Sequence, residues 1–169
     1  GNSLLFTKTN TLGTHSFLEA CRKQNVKKII HVSTDEVYGE NLNKPFKEDQ
    51  ILNPTNPYAA SKAAADMLIY GYARTYGIDY IILRPTNNYG IGQYPEKLIP
   101  LSVKLLMRDK KIRLHDAGEP IRNWLHAADT ARAVTTIIES GRLNTIYNVA
   151  GGFEQKNYDT VCKVIKSYF

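Results

Sequence analysis

The 169-residue chain is poor in cysteine, with Cys21 and Cys162 alone. They lie far apart and each falls within an apolar helical pattern, so they read as free thiols rather than as a disulfide or half of a metal site. No apolar run is long enough to cross a bilayer. The opening residues, Gly1-Asn2-Ser3-Leu4-Leu5-Phe6, lack a basic stretch ahead of a cleavage pattern, so a cytoplasmic protein with no membrane partner is expected. The histidines His15, His31, His115 and His126 show no metal-ligand spacing, and no metal is expected. Repeats and low-complexity segments are missing too. The net charge of +6 is dispersed over Lys27-Lys28, Lys110-Lys111, Lys163 and Lys166. No basic block interleaved with aromatics accompanies it, which argues for a solvated surface and against nucleic acid. Part of the excess is free to serve an anionic ligand such as a diphosphate.

What is present is an alternation of helical and strand patterns. Leu5, Leu12, Phe17, Leu18 and Cys21 recur at helical spacing over 4–23, and the apolar run Ile29-Ile30-His31-Val32 then reads as a buried strand. Pro57 to Tyr76 is Ala-rich and amphipathic, and Tyr80-Ile81-Ile82-Leu83 is a second short strand. Downstream, helices are predicted over 97–107, 127–140 and 158–168, with strands over 112–115 and 146–149. Helix, strand, helix, strand implies a parallel sheet, so the fold class is α/β, a doubly wound core with a smaller C-terminal region. A dinucleotide-binding domain normally opens with a strand and a Gly-rich turn that meets a pyrophosphate at a helix N-terminus. This chain has no such turn and begins in what reads as a mid-domain helix, so about a hundred further residues are expected ahead of it on domain-size grounds.

Two clusters carry chemistry. Tyr58-Ala59-Ala60-Ser61-Lys62 puts a phenol and an ammonium four residues apart, on one face of a helix. A neighbouring Lys favours the phenolate, so the Tyr58 pKa is expected to fall toward a range useful for acid-base work. By itself Y-x-x-x-K also fits an ordinary solvated face. The strand at 29–33 runs into Thr34-Asp35-Glu36-Val37-Tyr38-Gly39, which places a hydroxyl and two adjacent carboxylates at the C-terminal end of a parallel strand, where ligands bind in open α/β sheets. A polar loop with Thr34 as a cap fits that hexapeptide equally well.

The ordered set Ser33-Thr34-Asp35-Glu36-Val37-Tyr38-Gly39, Asn53-Pro54-Thr55-Asn56-Pro57-Tyr58, Lys62 and Arg84-Pro85-Thr86-Asn87-Asn88-Tyr89-Gly90 resembles the extended short-chain dehydrogenases/reductases. Within them it is most similar to the NDP-glucose 4,6-dehydratases that act on dTDP-glucose or UDP-glucose. The likeness runs from Asn10-Thr11-Leu12-Gly13-Thr14 to about Asn157. It implies a Rossmann-like fold, with the NAD-binding domain and the catalytic residues over 1–90 and a mixed sugar-nucleotide-binding region with returning Rossmann elements over 91–169. It also implies oxidation of the sugar at C4, loss of water across C5 and C6, and reduction at C6, with NAD as cofactor. In that scheme Tyr58 takes the C4 hydroxyl proton, Lys62 favours the phenolate and binds the nicotinamide ribose, and Thr34 hydrogen-bonds the same sugar oxygen. Glu36 then removes the C5 proton and Asp35 protonates the departing C6 hydroxyl, which requires the two carboxyls to hold different protonation states. Epimerases and decarboxylases of the superfamily share the Tyr and Lys but usually lack the adjacent acids, so dehydration is favoured.

The resemblance extends to binding residues. It places Asn87 near the substrate, Asn88 beside the nicotinamide, Lys97 and Leu98 against the nucleotide, and Arg122 on the diphosphate, for which its planar fork of donors is suited. Asn10 matches a helix asparagine of the superfamily, although a helix-interior polar residue is a comparable reading. His115-Asp116-Ala117-Gly118 stands where relatives show Tyr-Gly-Asp-Gly, and Asn123-Trp124-Leu125-His126 where they show Asp-Trp-Leu-Tyr; these departures leave the base open, although the resemblance as a whole favours dTDP-glucose with UDP-glucose close. A homodimer through the Pro57–Tyr76 helix is implied. Two alternatives remain: an NDP-sugar epimerase, and a non-catalytic nucleotide-sugar-binding module, since a chain without the Gly-rich turn is expected to be inactive alone.

Overall fold

The computed structural model describes residues 2–40 and 45–169. In chain order the elements are α1 (Leu4–Phe6), a π-helical turn (Thr7–Leu12), α2 (Gly13–Lys23), β1 (Lys28–Val32), a 3-10 turn (Asp35–Tyr38) and α3 (Pro57–Tyr76). There follow β2 (Asp79–Pro85), β3 (Asn87–Tyr89), α4 (Leu98–Leu106), a 3-10 turn (His115–Gly118), β4 (Ile121–His126), α5 (Ala127–Ser140), β5 (Thr145–Val149), β6 (Glu154–Lys156) and α6 (Asn157–Tyr168). They form two compact units, one of 1–85 with 133–149 and the other of 86–132 with 150–169. The sequence reading divides the chain after Gly90; here the division follows Pro85, and the end of α5 together with β5 returns to the first unit.

In the first unit β1, β2 and β5 form a parallel sheet with β2 in the centre. The five residues 81–85 of β2 are all buried, as a parallel strand covered on both faces requires. Alternate side chains explain both coverings: Ile82 packs with Ile29, Leu18 and Cys21 of α2 and Ile69 and Tyr72 of α3, whereas Ile81 and Leu83 pack on Ile137 of α5. Helices therefore lie on both faces, the doubly wound arrangement the alternation predicts.

Local chemistry sets the limits of α3. Asn56 caps its N-terminus by accepting from Ala59 N–H at 2.9 Å, and Pro57 occupies the first turn, where its missing N–H costs nothing. Gly77 closes it in the left-handed conformation at φ 67°. The helix predicted over 4–23 is present but passes through the π turn Thr7–Leu12.

In the second unit β3 pairs parallel to β4, and β4 antiparallel to β6. The sequence reading missed these three strands because β3 and β6 have three residues each and β4, Ile-Arg-Asn-Trp-Leu-His, carries no strict apolar alternation, so that neighbours set the pairing. The strand predicted over 112–115 is absent: among the described residues no backbone pairs with Ile112 to Leu114, and a strand needs a partner for its donors and acceptors. His115 instead starts the 3-10 turn, whose Gly118 (φ 84°) sits where a Cβ would lie 2.8 Å from Leu114 Cδ1 and Tyr158 Cβ.

Candidate active site

The C-terminal end of β1 and the start of α3 bring the first unit's chemical groups together. After Ser33 the chain leaves the sheet, and Thr34 caps the 3-10 turn by accepting from Glu36 N–H at 3.3 Å. Its hydroxyl also donates to Asp35 Oδ1 at 3.3 Å. The capping role and the functional one are thus compatible: one hydroxyl fixes the turn that carries both carboxyls. Asn56 Nδ2 donates to Glu36 Oε2 at 3.1 Å, so the residue that caps α3 also fixes the direction of the glutamate. Sequence reasoning gave Asn56 no role; its position before Pro57 is an N-cap signal that could have found it.

Lys62 lies one helical turn beyond Tyr58, half-buried, and its Nζ donates to the Val32 carbonyl at 2.6 Å. Asn10, in the π turn, donates to Ser61 Oγ at 2.9 Å, Thr11 Oγ1 donates to Ser61 O at 3.0 Å, and Ser61 Oγ donates to Tyr58 O at 2.7 Å. The irregular turn is therefore tied by side chains to the segment of α3 that carries the phenol, in keeping with π turns clustering at functional sites.

Electrostatics act on Asp35 and on Tyr58. Burial, aided by the adjacent Glu36 charge and opposed by the Thr34 hydrogen bond, pushes the Asp35 carboxyl up to about 6. Tyr58 corrects an expectation: its phenol is pushed up, not down. Burial is the main cause, the charges of Glu36 and Asp35 add to it, and the Thr34 hydroxyl pulls the other way. Lys62 does not offset this, because its ammonium is drawn to the Val32 carbonyl and burial lowers its own pKa.

The remaining predicted residues lie in the second unit. Asn87 and Asn88 are half-buried on β3, paired with Trp124 and Leu125 of β4. Asn88 is locked: Nδ2 donates to Thr86 O at 3.0 Å, Oδ1 accepts from Thr130 Oγ1, and its carbonyl accepts from Gln93 Nε2 at 2.7 Å. Lys97 precedes α4 and is exposed, Leu98 opens that helix half-buried, and Arg122 is exposed on β4 with Nη1 donating to Ile121 O at 2.9 Å. Among the described residues no cluster of His, Cys, Asp and Glu could hold a metal ion, and no helix is long and apolar enough to cross a membrane.

The donor set suits a nicotinamide ribose: a phenol and an ammonium one helical turn apart, beside the C-terminal end of a parallel strand, with Lys62 using one of its three donors on Val32. The residues present contain no Gly-rich turn for a pyrophosphate.

The NAD dependent epimerase/dehydratase family model matches residues 2–150. The chain is 42% identical over 174 residues to dTDP-D-glucose 4,6-dehydratase of Dictyostelium discoideum, covering 96% of this chain and 40% of that protein. It is 41% identical over 172 residues to a trifunctional UDP-glucose 4,6-dehydratase/UDP-4-keto-6-deoxy-D-glucose 3,5-epimerase/UDP-4-keto-L-rhamnose-reductase of Arabidopsis thaliana, covering 99% of this chain and 26% of that protein. The crystal structure of dTDP-glucose 4,6-dehydratase from Streptomyces venezuelae with NAD bound superposes with a TM-score of 0.94 at 39% identity, over 99% of this chain and 52% of that one. UDP-glucose 4-epimerase from Thermotoga maritima gives a TM-score of 0.89 at 28% identity, over 98% and 55%. The chain thus spans about half the length, or less, of the proteins it matches.

Proposed function

The chain belongs to the NAD dependent epimerase/dehydratase family, and from that premise we propose that the whole protein dehydrates an NDP-glucose to its 4-keto-6-deoxy sugar. The observation that carries this is the adjacent carboxyl pair on one capped turn, Asp35 held up near 6 and Glu36 anchored by Asn56. Identities of 39% and 42% to dehydratases against 28% to an epimerase point the same way.

Tyr58, as phenolate, takes the proton of the C4 hydroxyl, with Thr34 sharing that sugar oxygen. Lys62 would favour that phenolate once its ammonium turns from the Val32 carbonyl, and would hold the nicotinamide ribose, while Asn88, fixed by Thr86 and Thr130, would stand beside the nicotinamide. NAD, when bound, supplies the two-electron acceptor for C4 and returns the pair at C6. The C4 ketone acidifies the C5 proton, which the Glu36 carboxylate removes. Asp35, protonated, gives its proton to the C6 hydroxyl, which leaves as water as C5 and C6 become doubly bonded. Glu36 returns the proton to C5, Tyr58 releases the C4 hydroxyl proton to the solvent, and Asp35 stays ionised until the solvent reprotonates it. Asn87, Lys97, Leu98 and Arg122 are assigned to the substrate, Arg122 to its diphosphate.

A cytoplasmic homodimer belongs to the same proposal. Leu12, Phe17 and Met67 are about half exposed, and Leu12 and Met67 line a groove of about 560 Å³ between the first helical segments and α3 that a second copy would cover.

The test is mass spectrometry of the product after incubation of the whole protein with NAD and either dTDP-glucose or UDP-glucose. Loss of one water in wild type, abolished in Glu36→Gln, is the expected result, and the nucleotide that reacts identifies the substrate. Unchanged mass with both sugars while binding persists would remove the dehydratase reading.

A further inference from the structure

Beneath the acid-base turn lies a buried ionic cluster that the reaction as written does not use. Arg84, at the end of β2, is 1% exposed and Asp66, on α3, is fully buried. Arg84 Nε and Nη2 both donate to Asp66 Oδ2, at 3.2 and 3.0 Å. Its Nη1 donates to the Tyr38 hydroxyl at 2.7 Å, and its guanidinium carbon lies 4.8 Å from the Tyr38 ring centre. Tyr38 in turn donates to Asn148 Oδ1 at 2.9 Å and stacks on Phe46 with ring centres 4.9 Å apart.

The two ends of this cluster fall on the two halves of the site. Asp66 follows Tyr58 and Lys62 at successive intervals of four, so all three share one stripe of α3. Tyr38 ends the turn that begins with Asp35 and Glu36. The turn is capped at its start by Thr34, tied in its middle by Asn56 to Glu36 and by Asn53 N–H to the Val37 carbonyl at 3.0 Å, and held at its far end by Tyr38. Tyr38 is the only side chain of the turn that reaches Arg84 among the described hydrogen bonds. A fully buried ion pair gives little net stability compared with apolar residues of the same volume, so its presence in the core calls for a geometric reason.

We propose that Arg84, with Asp66 and Tyr38, is a positioning residue that sets the separation between the phenol on α3 and the carboxyl pair on the turn, and so couples elimination at C5 and C6 to oxidation at C4. The inference rests on the dehydratase reading. Arg84 touches no reacting atom; it cross-links the two elements that do. Displacing a catalytic group by about 1 Å costs on the order of 100-fold in rate, and here the displaced group would be the turn, since Tyr58 and Lys62 remain on an intact helix.

The test uses the whole protein with NAD and whichever sugar nucleotide the wild type dehydrates, and two variants. The double variant Asp66→Leu/Arg84→Met removes the ion pair while filling its volume; Tyr38→Phe keeps the ion pair and removes the hydroxyl's bonds to Arg84 and to Asn148, so it decides alone if the double variant does not fold. Expected are a kcat lower by on the order of 100-fold, a KM within about twofold of wild type, and a shift in isotope sensitivity. The deuterium effect on kcat should rise for substrate labelled at C5 and fall toward unity for substrate labelled at C4. Unchanged kcat, or a fall that leaves the C4 and C5 effects in their wild-type ratio, would overturn the proposal and leave the pair as core filling. Absence of water loss in wild type would sink the dehydratase reading and this inference together, and it is seen before any variant is made.

Discussion

Asn56 joins two jobs through one amide: its Oδ1 accepts from Ala59 N–H at 2.9 Å and its Nδ2 donates to Glu36 Oε2 at 3.1 Å. Asn56→Ala removes both and should lower stability by about 1 kcal/mol through the lost cap. Asn56→Asp keeps the cap but sets a carboxylate against Glu36. Urea denaturation should therefore show Asn56→Asp close to wild type while its dehydration rate falls, and equal losses of stability in the two variants would deny Asn56 the second job.

Asp35 predicts a pH limb. As the general acid of the proposed dehydration Asp35 would have to be protonated, so kcat should fall as pH rises through its pKa, which burial and Glu36 hold at about 6 in this structure. Asp35→Asn should abolish that limb along with most activity. The same shift has a stability consequence of opposite use. The folded pKa lies above the unfolded one, so between about pH 4 and 6 the folded chain binds the extra proton. Stability therefore declines as pH rises through that window, by about 2 to 3 kcal/mol. Asp35→Asn should raise the Tm at pH 7.5 and leave it unchanged at pH 3.

His31 should stay neutral well into acid. Burial, with the Lys62 charge adding, lowers its pKa to about 4. The unfolded chain binds the proton first, so stability is lost as pH falls from about 6.5 toward 4. An imidazole carbon-proton NMR titration should show no inflection above pH 5, and an inflection near 6.5 would contradict the burial of the ring.

Asp66→Ala should be the most damaging single change in the first unit, about 3–5 kcal/mol, because it strands the Arg84 guanidinium in the core. Asp66→Leu/Arg84→Met should recover most of that loss, which thermal unfolding of the three proteins would check.

Tyr58→Phe should reduce kcat by on the order of 10² to 10⁴-fold with little change in KM. A fall in binding without a fall in turnover would move Tyr58 from proton transfer to substrate contact.

The parallel sheet and the helices on its two faces were legible in the sequence because apolar period and length carry them: Ile29 to Val32, the span 57–76 and Tyr80 to Leu83 announce buried strands and a helix whatever surrounds them. So were the groups of the candidate site, since Tyr58 and Lys62 at a spacing of four and two acids after a strand are read from residue type. The strands β3, β4 and β6 were not, because their hydrogen bonds exist only once partners arrive. Nor was the direction of the Tyr58 shift: a helix wheel brings Lys62 near, and only packing reveals that burial pushes the phenol up, with Glu36 and Asp35 adding to it, while Val32 O draws the ammonium. The Arg84–Asp66–Tyr38 cluster lay furthest from view, being formed by residues 18 and 46 positions apart. Local sequence determines which backbone each segment prefers and which groups it carries; tertiary structure decides dielectric, partners and distance, and through them which proton each group holds.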